Sequence, residues 1–313
     1  MSISVLRTAG AWYVQTAAGA ARIDTGATTT AGLLADRDAI TAAAAATDTV
    51  PVESLSLVSP VTAPCRVVAQ MTNYASHVRD SGMDPGTIPL TFFRKASGSI
   101  SGPRADVVRP AHVHLLDYEV EIGLVIGRTV PVGTTVTEDN LAEHVAGLVV
   151  TNDVSARDVQ LPQTQFYEAK SYPTFTPVGP ALVLLDGVEL TRFRDLRLRL
   201  SVNGQVRQDA CVGGDMIYPP VQALQSLARF QHLDPGDLLL TGTPVGTALS
   251  APAKPVAFLS SLLPPARKWK IFLGRQRNNP RYLQDGDVIE AVIGTDDGAI
   301  DLGAQRTTVR WAR

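Results

Sequence analysis

Leu116-Asp117-Tyr118-Glu119-Val120-Glu121-Ile122-Gly123-Leu124-Val125-Ile126-Gly127 is the stretch on which both the fold and the chemistry of this chain turn. Its second half is a run of aliphatic residues of the kind that fills a buried strand. Its first half carries three acids at alternate positions. Successive strand side chains point to opposite faces, so the spacing predicts that Asp117, Glu119 and Glu121 share one face. Carboxylates gathered at low dielectric repel one another, and burial without a partner is costly for each. A bound divalent cation removes that cost; a strand with its acids in water is the other reading of the same spacing. Thr151-Asn152-Asp153-Val154-Ser155 places another acid, Asp153, at the end of a second apolar run. Oxygen-only ligands favour magnesium, manganese or calcium over zinc.

On either side of this stretch, short strands dominate. They are expected at residues 2–6, 11–15, 66–70, 107–110, 145–151, 180–185, 196–202, 238–241, 288–293 and 307–311. Asn203-Gly204 is a hairpin signal after one of them. Helical patterns are few, at 30–46, 138–143 and 220–231. No regular strand–helix alternation appears, which predicts an α+β, mostly β, architecture rather than a doubly wound sheet. Residues 1–62 read as a small N-terminal α/β domain and connector, with Pro51, Pro60 and Pro64 marking the join. Residues 63–313 then form the main domain. Within it, about 250–283 differs in composition: prolines and a basic cluster interleave with Leu259, Leu262, Leu263, Trp269, Phe272 and Leu273. This segment reads as an insertion serving as a lid or a dimer contact, or as a solvated excursion.

The chain has 313 residues, 45% of them hydrophobic, and a formal charge of −2, which argues against a general polyanion or nucleic-acid binder. Two cysteines, Cys65 and Cys211, in no CxxC arrangement exclude zinc fingers and disulfide scaffolds. No apolar run is long enough to span a membrane, and no secretory signal pattern opens the chain, so the expected compartment is the cytoplasm.

His77 precedes Asp80 by three residues, a spacing at which a helical turn would let the carboxylate orient the imidazole as a base. Arg157-Asp158 read as structural ion pairs or a helix cap, while Gln160 could bond a ligand carbonyl. Lys170 could neutralise a substrate carboxylate or a developing enolate. Gly242-Thr243-Pro244-Val245-Gly246 lacks the ending of a phosphate loop but could offer N–H groups and the Thr243 hydroxyl to an oxyanion. No GxSxG occurs, so a serine-hydrolase elbow is unsupported.

Taken together, these pieces resemble the fumarylacetoacetate hydrolase superfamily. In chain order they are Asn73-Tyr74-x-x-His77, Phe93-x-Lys95, Asp117 to Ile122, Asn152-Asp153-Val154-Ser155-Ala156-Arg157-Asp158-x-Gln160, Thr174-Phe175-x-Pro177-x-Gly179-Pro180, Gly236-Asp237 leading to Thr241-Gly242-Thr243-Pro244-x-Gly246, and Gly286-Asp287-Val288-Ile289-Glu290. The resemblance implies a mixed β-sandwich roll, a homodimer, and magnesium or manganese held by Glu119, Glu121 and Asp153. It implies His77, Asp80 and Lys170 as catalytic residues, with Tyr74, Lys95, Arg157, Gln160 and Thr243 contacting a small oxo-acid substrate. Asp117 becomes a supporting residue. The implied activity is C–C bond hydrolysis of a β-diketo or 2-oxo acid. Decarboxylation and enol–keto isomerisation or hydration on the same metal are the alternatives, and a degenerate binding module is another. Two departures stand out: Asp80 where many members carry glutamate, and the long segment at 250–283.

Overall fold

The computed structural model describes residues 2–163, 166–249 and 264–312. The strands of the first half are β1 (Ile3–Arg7), β2 (Trp12–Thr16), β3 (Gly19–Arg22), β4 (Val67–Gln70), β5 (Phe92–Lys95), β6 (Ile100–Ser101), β7 (Val107–Arg109), β8 (Leu116–Asp117) and β9 (Val120–Ile126). They are followed by β10 (Val145–Asn152), β11 (Ser155–Ala156), β12 (Thr176–Pro177), β13 (Leu182–Leu184), β14 (Leu196–Val202), β15 (Gln205–Cys211), β16 (Leu238–Leu240), β17 (Val288–Thr295) and β18 (Asp301–Trp311). A nine-stranded sheet has the order β3-β2-β1-β13-β10-β9-β16-β4-β5, and a five-stranded sheet the order β15-β14-β17-β18-β7. The result is the strand-rich α+β class expected from the sequence.

Burial explains why β9 and β10 occupy the centre. Every residue of both strands is buried, as their unbroken apolar runs require of a strand covered on two faces. On one face, Ile122, Leu124 and Val150 share a core with Leu198, Leu200, Ile289 and Ile293 of the second sheet. On the other, Val125 and Val149 pack with Val5, Leu33, Leu34 and Ile40. Each such side chain contributes roughly 1.5–3 kcal/mol on burial. Gly123 is required where it stands: a Cβ there would lie 2.6 Å from Val149 Cγ2 and 2.8 Å from Thr151 Cγ2.

The first strands do not form a separate sheet. β1 pairs with β13 through Ile3 and Leu184, and through Val5 and Leu182, so residues 3–22 extend the central sheet. The helix expected at 30–46 is two helices, Thr30–Ala35 and Arg37–Ala44, with Asp36 between them. The Asn203-Gly204 turn joins β14 to β15, both residues having positive φ as a type I′ hairpin turn demands.

The deciding stretch itself departs from a single strand. β8 pairs with β11 and β9 with β10, and Tyr118 and Glu119 lie between them outside any ladder. The ladder is thus interrupted between Asp117 and Val120, and Asp117 is not among the clustered acids. Asp117 turns instead to Arg157 Nε at 2.8 Å and to the backbone N–H of Ala248 at 2.7 Å. Of the 250–283 segment, residues 250–263 lie outside the described residues. Its remainder includes the helix Pro265–Gln276.

Candidate active site

The antiparallel register Thr151↔Glu121 and Asn152↔Val120 brings the end of β10 alongside the start of β9. Two further bonds fix the loop at this end. The Asn152 side-chain oxygen accepts from Glu119 N at 2.9 Å, and Asp153 N donates to Glu119 O at 2.8 Å. Glu119, Glu121 and Asp153 thereby converge, each with a carboxylate oxygen within 4.8 Å of the others, and all three are buried. This buried oxygen-only set fits a hard divalent cation. These three acids could hold a metal ion, as the spacing and the resemblance led one to expect.

Buried cations offset the repulsion among these acids. Lys170 Nζ donates to Glu119 Oε2 at 2.7 Å and also to Asp153, and Lys95 Nζ donates to the other oxygen of Asp153. Arg157 reaches Glu119 and Asp117 and donates to Gln160 Oε1 at 2.8 Å. Burial would raise the Glu119 pKa, but the charges of Arg157 and Lys170 outweigh it and hold the carboxyl below its usual range. Burial would likewise depress the Lys170 ammonium, but Asp153 and Glu119 outweigh it and hold the pKa high. Glu121 forms no ion pair among the described residues: burial, with Asp153 and Glu119 beside it, outweighs the charge of Lys170 and pushes its carboxyl well above the usual value. A cation at this site would therefore find Glu121 as the carboxylate least neutralised by the protein.

The loop after β16 supports Glu121 from its backbone. Gly242 N donates to Glu121 Oε2 at 2.7 Å from a conformation with φ +83°. A Cβ at Gly242 would meet Asn73 Cβ at 2.8 Å. Asn73 in turn donates to Thr241 O at 2.8 Å, which ties the Asn73-Tyr74 motif to this loop. The Thr243 hydroxyl, expected to serve an oxyanion, donates to Val120 O at 2.9 Å and accepts from Gln208 Nε2 at 2.8 Å. Its first role is thus to fasten the loop to β9.

A cavity of about 560 Å³ opens beside the carboxylates. Glu119, Glu121, Asp153, Arg157, Gln160, Lys170, Thr243 and His77 line it, whereas Tyr74, Lys95 and Asp80 do not. Tyr74 and Lys95 are fully enclosed behind the acids. His77 and Asp80 share the helix Ala75–Asp80, but among the described residues they form neither a hydrogen bond nor an ion pair. The His77 Nδ1 is buried without a partner. Burial lowers the imidazole pKa, with Glu119 opposing, so the ring is neutral at neutral pH.

The sequence reading missed Gln208 and did not tie Gly242, Trp269 or Phe272 individually to the site. Gln208, buried on β15, bonds both Val120 N and Thr243; no motif marks it. The Gly242 N–H was legible only as part of a glycine-bearing loop. Trp269 and Phe272 of the helix Pro265–Gln276 also line the cavity. Their segment was singled out as an insertion, and these two side chains bring it to the site.

Comparison with known proteins places this fold in a family of enzymes. Residues 66–310 match the family model described as the fumarylacetoacetate (FAA) hydrolase C-terminal domain, and the chain belongs to that family. It is 35% identical over 211 residues to the mitochondrial oxaloacetate tautomerase FAHD2A of Bos taurus, covering 67% of this chain and 64% of that protein. It is 36% identical over 251 residues to a 2,4-didehydro-3-deoxy-L-rhamnonate hydrolase of a Sphingomonas strain, covering 80% of this chain and 75% of that protein. A probable 2-hydroxyhepta-2,4-diene-1,7-dioate isomerase from Mycobacterium abscessus superposes over 100% of both chains at TM-score 0.75 and 30% identity. Proteins named as a hydrolase, an isomerase and a tautomerase are thus all among those this chain is similar to. Among the described residues no helix is long and apolar enough to cross a membrane.

Proposed function

We propose that the protein is a metal-dependent tautomerase or isomerase that moves a proton between carbon and oxygen of a small 2-oxo acid. The observation that carries this reading is the His77 imidazole, neutral and without a carboxylate partner among the described residues, on the same cavity as the Glu119, Glu121 and Asp153 cluster. A divalent cation held by those acids supplies a Lewis acid for the substrate's oxygens. Lys170 and Arg157 set positive charge beside the same point, where an enol oxygen gains negative charge. His77 takes the proton from the carbon next to the carbonyl. A proton is returned to the oxygen, so a C–H bond breaks, an O–H bond forms, and no water is consumed.

Activation of water for C–C hydrolysis is better served by an imidazole that a carboxylate orients. Asp80 makes no bond to His77, which sets proton transfer ahead of hydrolysis. Hydrolysis remains the second reading because of the likeness to the rhamnonate hydrolase. The test follows enol absorbance and product composition together, with the magnesium- or manganese-loaded protein. Enol decay without a second acid product or CO₂ is the expected result. Stoichiometric release of two acids would overturn the reading in favour of hydrolysis.

A further inference from the structure

We infer that the substrate is a 2-oxo acid with a single carboxylate and an apolar group of aromatic size, not a dicarboxylate; this rests on the tautomerase reading above. Beside the acids, Lys170 and Arg157, the cavity is lined by Met71, Met83, Phe93, Phe166, Trp269 and Phe272, and Lys170 Nζ lies 5.1 Å from the centroid of the Phe93 ring. Phe93 and Phe166 stack with ring centroids 5.2 Å apart, and Trp269 meets Phe272 edge-on at 5.9 Å. Such faces suit a flat apolar group, since aromatic pairs favour offset and edge-on contacts at these separations.

Charge bears on the same choice. Among the described residues, Arg157 and Lys170 are the only Lys or Arg side chains lining the cavity, and both are committed to carboxylates of the site. Among the described lining residues a second substrate carboxylate would meet no further Lys or Arg side chain, and burying a charge unpaired is costly.

The test has a binding arm and a turnover arm, both with the magnesium-loaded full chain. In calorimetry, 3-phenyllactate and malate serve as unreactive stand-ins for an aromatic and a dicarboxylic oxo acid. Phenyllactate is expected to bind at least about tenfold tighter, or about 1.4 kcal/mol. Phe272→Ala, and independently Trp269→Ala, should shrink that ratio at least about threefold. In turnover, the enol of phenylpyruvate should decay with a higher kcat/KM than that of oxaloacetate. Malate binding as tightly as phenyllactate, or a ratio unmoved in both variants, overturns the inference. Faster turnover of oxaloacetate overturns it too, while leaving the tautomerase reading standing. A phenyllactate preference with neither enol turned over leaves the ligand preference standing and sinks the tautomerase reading.

Discussion

Replacing Lys170 by methionine tests the electrostatic logic of the whole site. The side chain is nearly the same length, it is buried, and its ammonium serves two carboxylates, Glu119 at 2.7 Å and Asp153. Lys170→Met therefore leaves two buried acids short of a counter-charge while preserving packing. Removing one partner of a buried ion pair costs about 3–5 kcal/mol. That deficit should appear in chemical denaturation in the presence of EDTA at pH 8. Glu119 owes its depressed pKa in part to Lys170, so the stability it lends is present above its unfolded value and fades as pH falls through the folded one. The deficit should accordingly persist at pH 5.5 and narrow only below the ordinary carboxylate range, where Glu119 itself takes up a proton. Magnesium should restore more than half of the lost stability, since a ligand at one hundred times its Kd adds about 2.7 kcal/mol. It should add less to the wild type, whose lysines already hold the acids. A variant within about 1 kcal/mol of wild type in EDTA, well below the cost of breaking a buried pair, would refute the reasoning. So would a variant that gains no more from magnesium than the wild type does.

Other outcomes follow from the same geometry. His77→Ala should lower kcat by about 10²–10⁴ with folding intact by circular dichroism, the range typical of a general base. Asp80→Ala, which removes no bond to His77, should change kcat less than about threefold, far below that range; a loss comparable to His77→Ala would restore the dyad and the hydrolytic reading. Because burial lowers the His77 pKa, the base form should survive below the ordinary value of 6.5, and kcat/KM should fall only at more acidic pH. An inflection above 6.5 in the loaded enzyme would contradict this. Gly242→Ala should destabilise the protein by about 1–3 kcal/mol, through a strained positive φ and the contact with Asn73, and should weaken metal binding by shifting the bond to Glu121. Unchanged metal affinity by calorimetry would show that the loop does not hold Glu121.

Much of this protein is written locally. The apolar runs of β9 and β10 announce buried strands because no solvent-facing strand tolerates such continuity. Period-two spacing placed Glu119 and Glu121 together, and Asp153 at the end of the neighbouring run completed the set. Asp117 stands outside that set, across an interruption of the ladder at Tyr118 and Glu119, and holds Arg157 Nε and the Ala248 N–H instead. Helical spacing put His77 and Asp80 one turn apart, yet a short helix with its histidine turned to the cavity leaves the aspartate without a bond to it.

What the amino-acid order determined alone was therefore the class of fold and the identity of the candidate ligands, since both depend on periodicity and side-chain chemistry over a few residues. Tertiary structure decided the rest. The pairing of Lys170 and Lys95 with Asp153, the bracing of Glu119 by Arg157, and the bond from Gly242 to Glu121 join residues 17 to 121 positions apart. No local pattern encodes such contacts. They arise when β9, β10, β16 and the helix Pro265–Gln276 are brought to one cavity, where low dielectric makes every charge demand a partner.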